Sequence, residues 1–215
     1  ALLTSAASLA EQDLEWTHYG GSEEGLQFSP ADQINLTNVV NLKEAWRYRT
    51  GEMSEGSADG YSFQATPILV RGTLYVSTGS AIVIALDPVT GEEKWRYDPK
   101  LDRTKSTSET ANRGVSSWID TTRTVADDCF HRIYVGTLDA RMISLDGITG
   151  KPCVDFGNQG EVNLSVDVRL IESDDSYDYS ITSPPVIIGD ILVTGSAIGD
   201  NGTVEKELGI VRGLD

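Results

Sequence analysis

The chain has 215 residues, with 17 Lys or Arg against 33 Asp or Glu, so its formal charge at pH 7 is −16. So acidic a surface repels a phosphate backbone and excludes nucleic acid as an expected partner. Hydrophobic residues make up 39% of the sequence, which is enough for one sizeable core. No apolar run approaches the roughly 20 residues of a membrane-spanning helix, so we predict no transmembrane segment in this chain.

The sequence begins with the small and apolar run ALLTSAASLA, residues 1–10. Ser8-Leu9-Ala10 fits the small-x-small pattern at which secretory signals are cut, and the polar Glu11 follows directly. We interpret residues 1–10 as the remnant of an export signal. The alternative is a frayed terminus without a targeting role.

Three later segments share one plan of short apolar runs separated by Gly or polar turn residues. Runs of this length and composition predict β-strands. The predicted strands occupy 66–70, 73–77 and 81–87 in the first segment, 132–137 and 141–146 in the second, and 183–188, 191–195 and 210–215 in the third. Short strands repeated in line, each segment carrying a Leu-Asp pair, are typical of β-propeller blades.

Two tryptophans accompany the repeat, Trp95 in KWRYDP and Trp46 in the similar AWRYRTG. A blade cannot bury both faces alone, and a large indole suits the interface between blades. We predict an all-β chain in which residues 11–215 are the N-terminal part of a single β-propeller domain. Because the repeat motif breaks off at Asp215, we expect a truncated propeller of about three to four blades. Its end blades would expose apolar faces, favouring low stability or self-association.

The two cysteines, Cys129 and Cys153, flank a predicted strand hairpin. They could pair in an oxidising compartment, or they could be two buried free thiols. Two cysteines without nearby His or further Cys make a poor zinc site.

The motifs of common hydrolases and of phosphate-binding loops do not occur, and His18 and His131 lie in unrelated contexts typical of surface or hydrogen-bonding residues. One polar loop between the repeats, Asn112-Arg113-Gly114-Val115-Ser116, stands out. Such loops converge at one end of a propeller axis, where ligands bind. The planar donors of Arg113 suit a carboxylate, although a structural arginine that bonds loop carbonyls is the alternative.

Several strings resemble one family, the pyrroloquinoline quinone (PQQ) dependent quinoprotein dehydrogenases, and within it the membrane glucose dehydrogenase and quinate dehydrogenase branch. The strings are WTHYGG at 16–21, FSPADQINLTNVVNLKEAW at 28–46, ALDPVTGEEKW at 85–95, GKPCVDFGNQG at 150–160, TSPP at 182–185 and GSAIGDN at 195–201. Together they cover nearly the whole chain after residue 13.

The resemblance implies an eight-bladed propeller with PQQ on its axis beside a calcium ion. It also implies a periplasmic enzyme that oxidises a hydroxyl of a sugar, cyclic polyol or alcohol by hydride transfer to PQQ and then reduces a quinone or cytochrome. The family's catalytic base and metal ligands come later in the chain. We therefore expect them beyond Asp215, and we expect this chain to be inactive by itself.

By the same resemblance, Arg113 is similar to the arginine that holds a cofactor carboxylate, and Thr137 to a threonine that hydrogen-bonds the cofactor. The remaining positions with an implied cofactor contact are Gln64, Asn112, Ser196 and Ala197.

The sequence also departs from the family pattern. Gln64 stands where a Glu is usual, which keeps a hydrogen bond but loses the charge. Thr107-Ser108 replaces the adjacent cysteine pair of the alcohol branch, Glu109 is near the place of a cofactor-facing His, and Ile198 replaces a calcium-binding Glu. These departures leave open a non-catalytic propeller that serves as a scaffold or assembly module.

Overall fold

The structure, a computed structural model, describes residues 14–52, 61–102, 104–107, 110–168, 176–177, 179–199 and 208–215. The predicted export-signal remnant lies outside these residues. Within them, no helix is long and apolar enough to cross a membrane. A 3₁₀ turn occupies Val39–Asn41. The strands are β1 (Ser62–Phe63), β2 (Ile68–Val70), β3 (Thr73–Ser77), β4 (Val83–Leu86), β5 (Glu93–Tyr97), β6 (Ser106–Thr107), β7 (Ala111–Asn112), β8 (Ser116–Ile119), β9 (His131–Gly136), β10 (Arg141–Asp146), β11 (Glu161–Asn163), β12 (Ser176–Tyr177), β13 (Val186–Ile188), β14 (Ile191–Thr194) and β15 (Arg212–Leu214).

Three antiparallel sheets, which we call blades 1 to 3, account for most of these strands. Blade 1 has the order β2-β3-β4-β5, blade 2 contains β8, β9, β10 and β11 in sequence, and blade 3 contains β13, β14 and β15. The first hairpin turns at Arg71-Gly72, both with positive φ, which matches the right-handed twist of its strands. The predicted repeat of short strands is confirmed as successive propeller blades.

The core lies between the blades. Alternate residues of β4 point to opposite faces, so Val83 and Ala85 join a buried cluster shared with blade 2. Ile84 and Leu86 join a second cluster on the other face, against Trp46 and neighbouring residues of the N-terminal segment. A third cluster joins blade 2 to blade 3.

Trp95 and Trp46 make the same contact on successive blades, as the sequence predicted. The indole Nε1 of Trp95 donates to the carbonyl of Gly147 at 3.0 Å. Its ring covers Gly150, where a Cβ would lie 2.6 Å from the ring. Trp46 repeats this arrangement one blade earlier, with its Nε1 donating to a carbonyl in the turn between β4 and β5 at 3.1 Å.

The turns that receive these indoles are held by aspartates. Asp87 Oδ1 accepts hydrogen bonds from the backbone N–H of Thr90 and Val89 at 2.8 and 2.9 Å, and these bonds lower the pKa of its carboxyl. Asp146 is equivalent in blade 2. Burial opposes its ionisation, but N–H donors including those of Cys129 and Thr149 outweigh burial and lower its pKa.

Cys129 and Cys153 form a disulfide with an S–S distance of 2.10 Å, which answers the question that the sequence left open. The bond ties the loop between β8 and β9 to the segment after β10. Its 24-residue separation corresponds to about 3.5 kcal/mol of stabilisation by loop-closure entropy.

Candidate functional site

Three segments that lead into the first strands of the blades lie side by side and form what we call the axial rim, namely residues 61–67, 110–115 and 179–185. β1 pairs in parallel with β7. The backbone N–H of Thr66 donates to the carbonyl of Arg113 at 3.1 Å, and the N–H of Arg113 donates to the carbonyl of Thr182 at 2.8 Å. The strands that follow, β2, β8 and β13, are therefore the inner strands of the blades.

Arg113 is the central residue of this rim. In addition to its two backbone bonds, its Nη1 donates to Thr182 Oγ1 at 2.6 Å. Both the peptide and the side chain of Arg113 are thus held by neighbouring blades. An arginine fixed in this way presents a preorganised planar group to a ligand.

Asn112 holds the same loop from within. Its Oδ1 accepts from Ser77 Oγ at 2.6 Å and from the N–H of Gly114 at 3.1 Å, and its Nδ2 donates to the carbonyl of Gly136 at 2.8 Å. The side chain is fully buried. In the described structure the amide of Asn112 shapes the loop around Arg113.

Gly114, directly after Arg113, lies close to the neighbouring rim segment. Its φ of +145° belongs to the range that favours glycine, and a Cβ there would lie 3.2 Å from the carbonyl oxygen of Thr66. The same position lies 3.8 Å from Pro184 Cγ and 3.9 Å from Tyr19 Cδ2. Three segments therefore meet at the residue directly after Arg113.

Thr137 lies behind the rim rather than on its surface. It is fully buried, and its hydroxyl donates to Asp139 and accepts from the N–H of Arg141 at 2.9 Å. Its carbonyl accepts from the N–H of Ile181 at 3.0 Å, directly before Thr182. Thr137 is thus one residue removed from the partner of Arg113.

Ser196 and Ala197 approach the rim from blade 3. Ala197 exchanges two backbone hydrogen bonds with Ser180, at 2.8 and 3.0 Å. The hydroxyls of Ser196 and Ser180 are both buried and have no hydrogen-bond partner among the described residues. Buried hydroxyls without a partner are unusual in folded proteins and need an explanation.

Gln64 is an exposed rim residue directly after Phe63, the register partner of Asn112, so it lies level with Arg113. Thr107, Ser108 and Glu109 lie outside the residues whose side chains are described. Ile198 packs against the apolar cluster between blades 2 and 3.

A cavity of about 770 Å³ lies below the rim. Arg113, Ser116 and Ser117 line one side with residues 183–189, and an N-terminal turn that includes His18 and Tyr19 lines the other. Among the described residues, no group of three or more His, Cys, Asp or Glu side chains could hold a metal ion.

Sequence reasoning did not select Thr182 or Tyr19 as site residues. A signal for Thr182 was available, because it precedes the first strand of its blade by four residues, as Gln64 does. Tyr19 gave no such signal, since only the fold brings it to the cavity that Arg113 also lines.

Consecutive antiparallel blades whose inner strands lie side by side define part of a β-propeller, with Arg113 at its axial rim as the candidate site. The family model described as "PQQ: Glucose/ethanol/alcohol dehydrogenase, beta-propeller domain" matches residues 16–215, and the chain belongs to this family. The resemblance drawn from the sequence strings is thereby confirmed.

Similar proteins include the "Quinoprotein glucose dehydrogenase" of Escherichia coli (strain K12), 38% identical over 208 residues, which cover 94% of this chain and 26% of the relative. The "Quinate/shikimate dehydrogenase (quinone)" of Acinetobacter baylyi is 33% identical, over 96% of this chain and 27% of the relative. The crystal structure of quinohemoprotein alcohol dehydrogenase from Comamonas testosteroni superposes with a TM-score of 0.73 at 28% identity, over 94% of this chain and 25% of that one. The chain thus spans about a quarter of the length of these proteins.

Proposed function

We propose that this chain supplies the first blades of a PQQ-dependent dehydrogenase that oxidises a hydroxyl group of a sugar, cyclic polyol or alcohol. The observation that carries the proposal is Arg113, held by Thr66 and Thr182 from the two adjacent rim segments at the mouth of the axial cavity. An arginine that served only to support the rim would not need to be fixed beside a cavity of this size.

The residues present fit PQQ, a planar quinone with carboxylate substituents. The guanidinium of Arg113, which lines the cavity, can donate in its plane to a carboxylate. A cavity of about 770 Å³ is within the range of small-molecule sites. The bound quinone would supply an electrophilic carbonyl carbon that accepts hydride from the substrate.

In this proposal the protein's residues orient and stabilise the cofactor. Arg113 neutralises a carboxylate, and its bonds to Thr182 and Thr66 fix its direction before the cofactor arrives. Asn112 keeps the loop closed around Ser77 and Gly136, while Thr137 braces the segment that carries Thr182. Gln64, Ser196 and Ala197 complete the implied contacts.

We place the calcium ligands and the catalytic base beyond Asp215, as the family resemblance implies. The relatives named for glucose and for quinate or shikimate favour a sugar or cyclic polyol as substrate over a simple alcohol. A quinone or a cytochrome would then accept the electrons.

A periplasmic location is supported by two features of the chain. The disulfide between Cys129 and Cys153 would persist only in an oxidising compartment. The small-x-small pattern that ends at Ala10 agrees with export.

The test is a titration of the complete protein that contains this chain with PQQ and calcium, while dye reduction is followed with glucose, quinate and simple alcohols. Arg113→Ala should weaken PQQ binding by about 100-fold, since a charge-assisted carboxylate contact contributes roughly 1.5–3 kcal/mol. Arg113→Lys keeps the charge but loses the planar arrangement of donors, so its affinity for PQQ should lie between those of the wild type and Arg113→Ala. A folded protein that does not bind PQQ would overturn the proposal in favour of a non-catalytic scaffold.

A further inference from the structure

Residues 44–50, which we call the leading segment, have the burial pattern of a β-strand. Trp46, Tyr48 and Thr50 are partly buried, whereas the residues beside and between them are exposed, namely Glu44, Ala45, Arg47 and Arg49. Trp46 and Tyr48 pack against the apolar cluster on the face of blade 1 that is turned away from blade 2. Burial of every second residue is typical of an extended chain with one face against a neighbour.

Hydrogen bonds with blade 1 hold the same face of the leading segment. Arg96 of β5 donates from Nη2 to the hydroxyl of Tyr48 at 2.6 Å and from Nη1 to the carbonyl of Thr50 at 3.1 Å. The indole of Trp46 adds its bond to the carbonyl of Pro88 at 3.1 Å. The leading segment is therefore seated on blade 1 from Trp46 to Thr50.

The outermost strand of blade 1, β5, has the same relation to blade 2. Trp95 and Tyr97 of β5 have the spacing of Trp46 and Tyr48, in matching Trp-Arg-Tyr strings, and both pack against the cluster between blades 1 and 2. The leading segment thus lies against blade 1 as the outer strand of blade 1 lies against blade 2.

The leading segment differs from β5 in having no sheet. Among the described residues it pairs with no strand, and no backbone hydrogen bond joins it to another main-chain group. Unpaired N–H and C=O groups along an extended chain form an edge that can accept a further strand. The residues just before it also expose large apolar side chains, including Leu36, Val40 and Leu42, as a surface does where another element covers it.

We propose that the leading segment is the outer strand of a further blade, and that the later part of the complete chain supplies the other strands of that blade. The two ends of the propeller would then be joined in one sheet. The chain spans about a quarter of the length of its relatives, so a protein of their length has enough further chain for this blade. The inference goes beyond the proposed function and is independent of the cofactor, because it rests on the packing of blades alone.

The first experiment measures amide hydrogen exchange in the complete protein without PQQ. Residues 45–49 should exchange within about tenfold of the rate of β5, because both would be outer strands that are paired along one edge. The five residues of β5 serve as the internal reference. Exchange over 45–49 at the rate of an unstructured peptide would overturn the inference.

The second experiment identifies the neighbour of the leading segment. Arg47→Cys in the complete protein is labelled with a cysteine-reactive benzophenone, irradiated and analysed by mass spectrometry; Cys129 and Cys153 are joined in the disulfide and do not take the label. We expect crosslinks within one molecule to sequence beyond Asp215. Arg96→Cys is the matched control, since it is the equivalent position on β5 and should crosslink to the leading segment that Arg96 contacts.

Two results of the crosslinking would contradict the proposal. Crosslinks from position 47 that are confined to residues 1–215 would mean that no further blade forms on the leading segment. Crosslinks between two molecules would assign the segment to an interface between copies of the protein. A protein that closes its propeller in this way but binds no PQQ would leave this inference standing while the proposed function fails.

Discussion

Blade 3 repeats the first three strands of blade 1, but the two blades differ in burial. Every residue of β4 in blade 1 is buried, because blade 2 covers one face and Trp46 with its neighbours covers the other. In blade 3, Leu192 packs towards blade 2, whereas Val186 and Ile188 on the other face are exposed. A blade therefore owes its burial to its neighbours and not to its own hydrophobicity.

We expect the largest loss of stability when the indole that joins blade 1 to blade 2 is removed. Trp95→Ala should lower the free energy of unfolding by about 3–5 kcal/mol, because it empties a buried site and removes the bond to Gly147. Urea unfolding would measure the loss. Trp46→Ala makes the matched change at a half-buried position and should lower the free energy of unfolding by less than half as much. Equal losses would show that the cover of blade 1 by the N-terminal segment matters as much as its packing against blade 2.

The stability of the interface between blades 1 and 2 should depend on pH, because His131 lies in it. It is 2% exposed, its ring packs edge-on against Tyr75, and its Nε2 lies 2.8 Å from Ser117 Oγ. Burial lowers the pKa of His131 from 6.5 to about 4, with a contribution from Arg71 that Asp146 partly opposes.

The folded protein therefore keeps His131 neutral where the unfolded chain takes up a proton. Stability is complete above pH 6.5 and is lost as the pH falls towards 4, by about 2 kcal/mol between pH 7.5 and 5. Unfolding free energies at the two pH values would measure this slope, and His131→Gln should remove most of it. A slope that survives the substitution would assign the acid sensitivity to other groups.

The repeat, the docking tryptophans and the arginine loop could be predicted from the sequence, because each depends on local spacing or on a recognisable string. The disulfide could not be decided, since the pairing of Cys129 with Cys153 depends on how a loop returns to blade 2. Thr182 was not selected, because its contact with the arginine loop joins segments that are far apart in the chain. Tyr19 was not selected, because only the fold brings the N-terminal turn to the cavity that Arg113 lines. The implied cofactor contacts of Asn112 and Thr137 stay predictions, while the structure shows their polar groups engaged with neighbouring residues.

We expect the smallest loss of stability from a substitution on the exposed face of blade 3. Val70 and Ile188 are equivalent, since each is the last residue of its inner strand and pairs across a hairpin turn, yet they are 4% and 64% exposed. In this chain Val70→Ala should cost about 2 kcal/mol and Ile188→Ala less than about 0.5 kcal/mol, because only the first leaves a cavity. Thermal unfolding of the two variants would measure the difference. If a further blade covers blade 3 in the complete protein, the cost of Ile188→Ala should rise there towards that of Val70→Ala, whereas an unchanged small cost would mean that this face stays open to solvent.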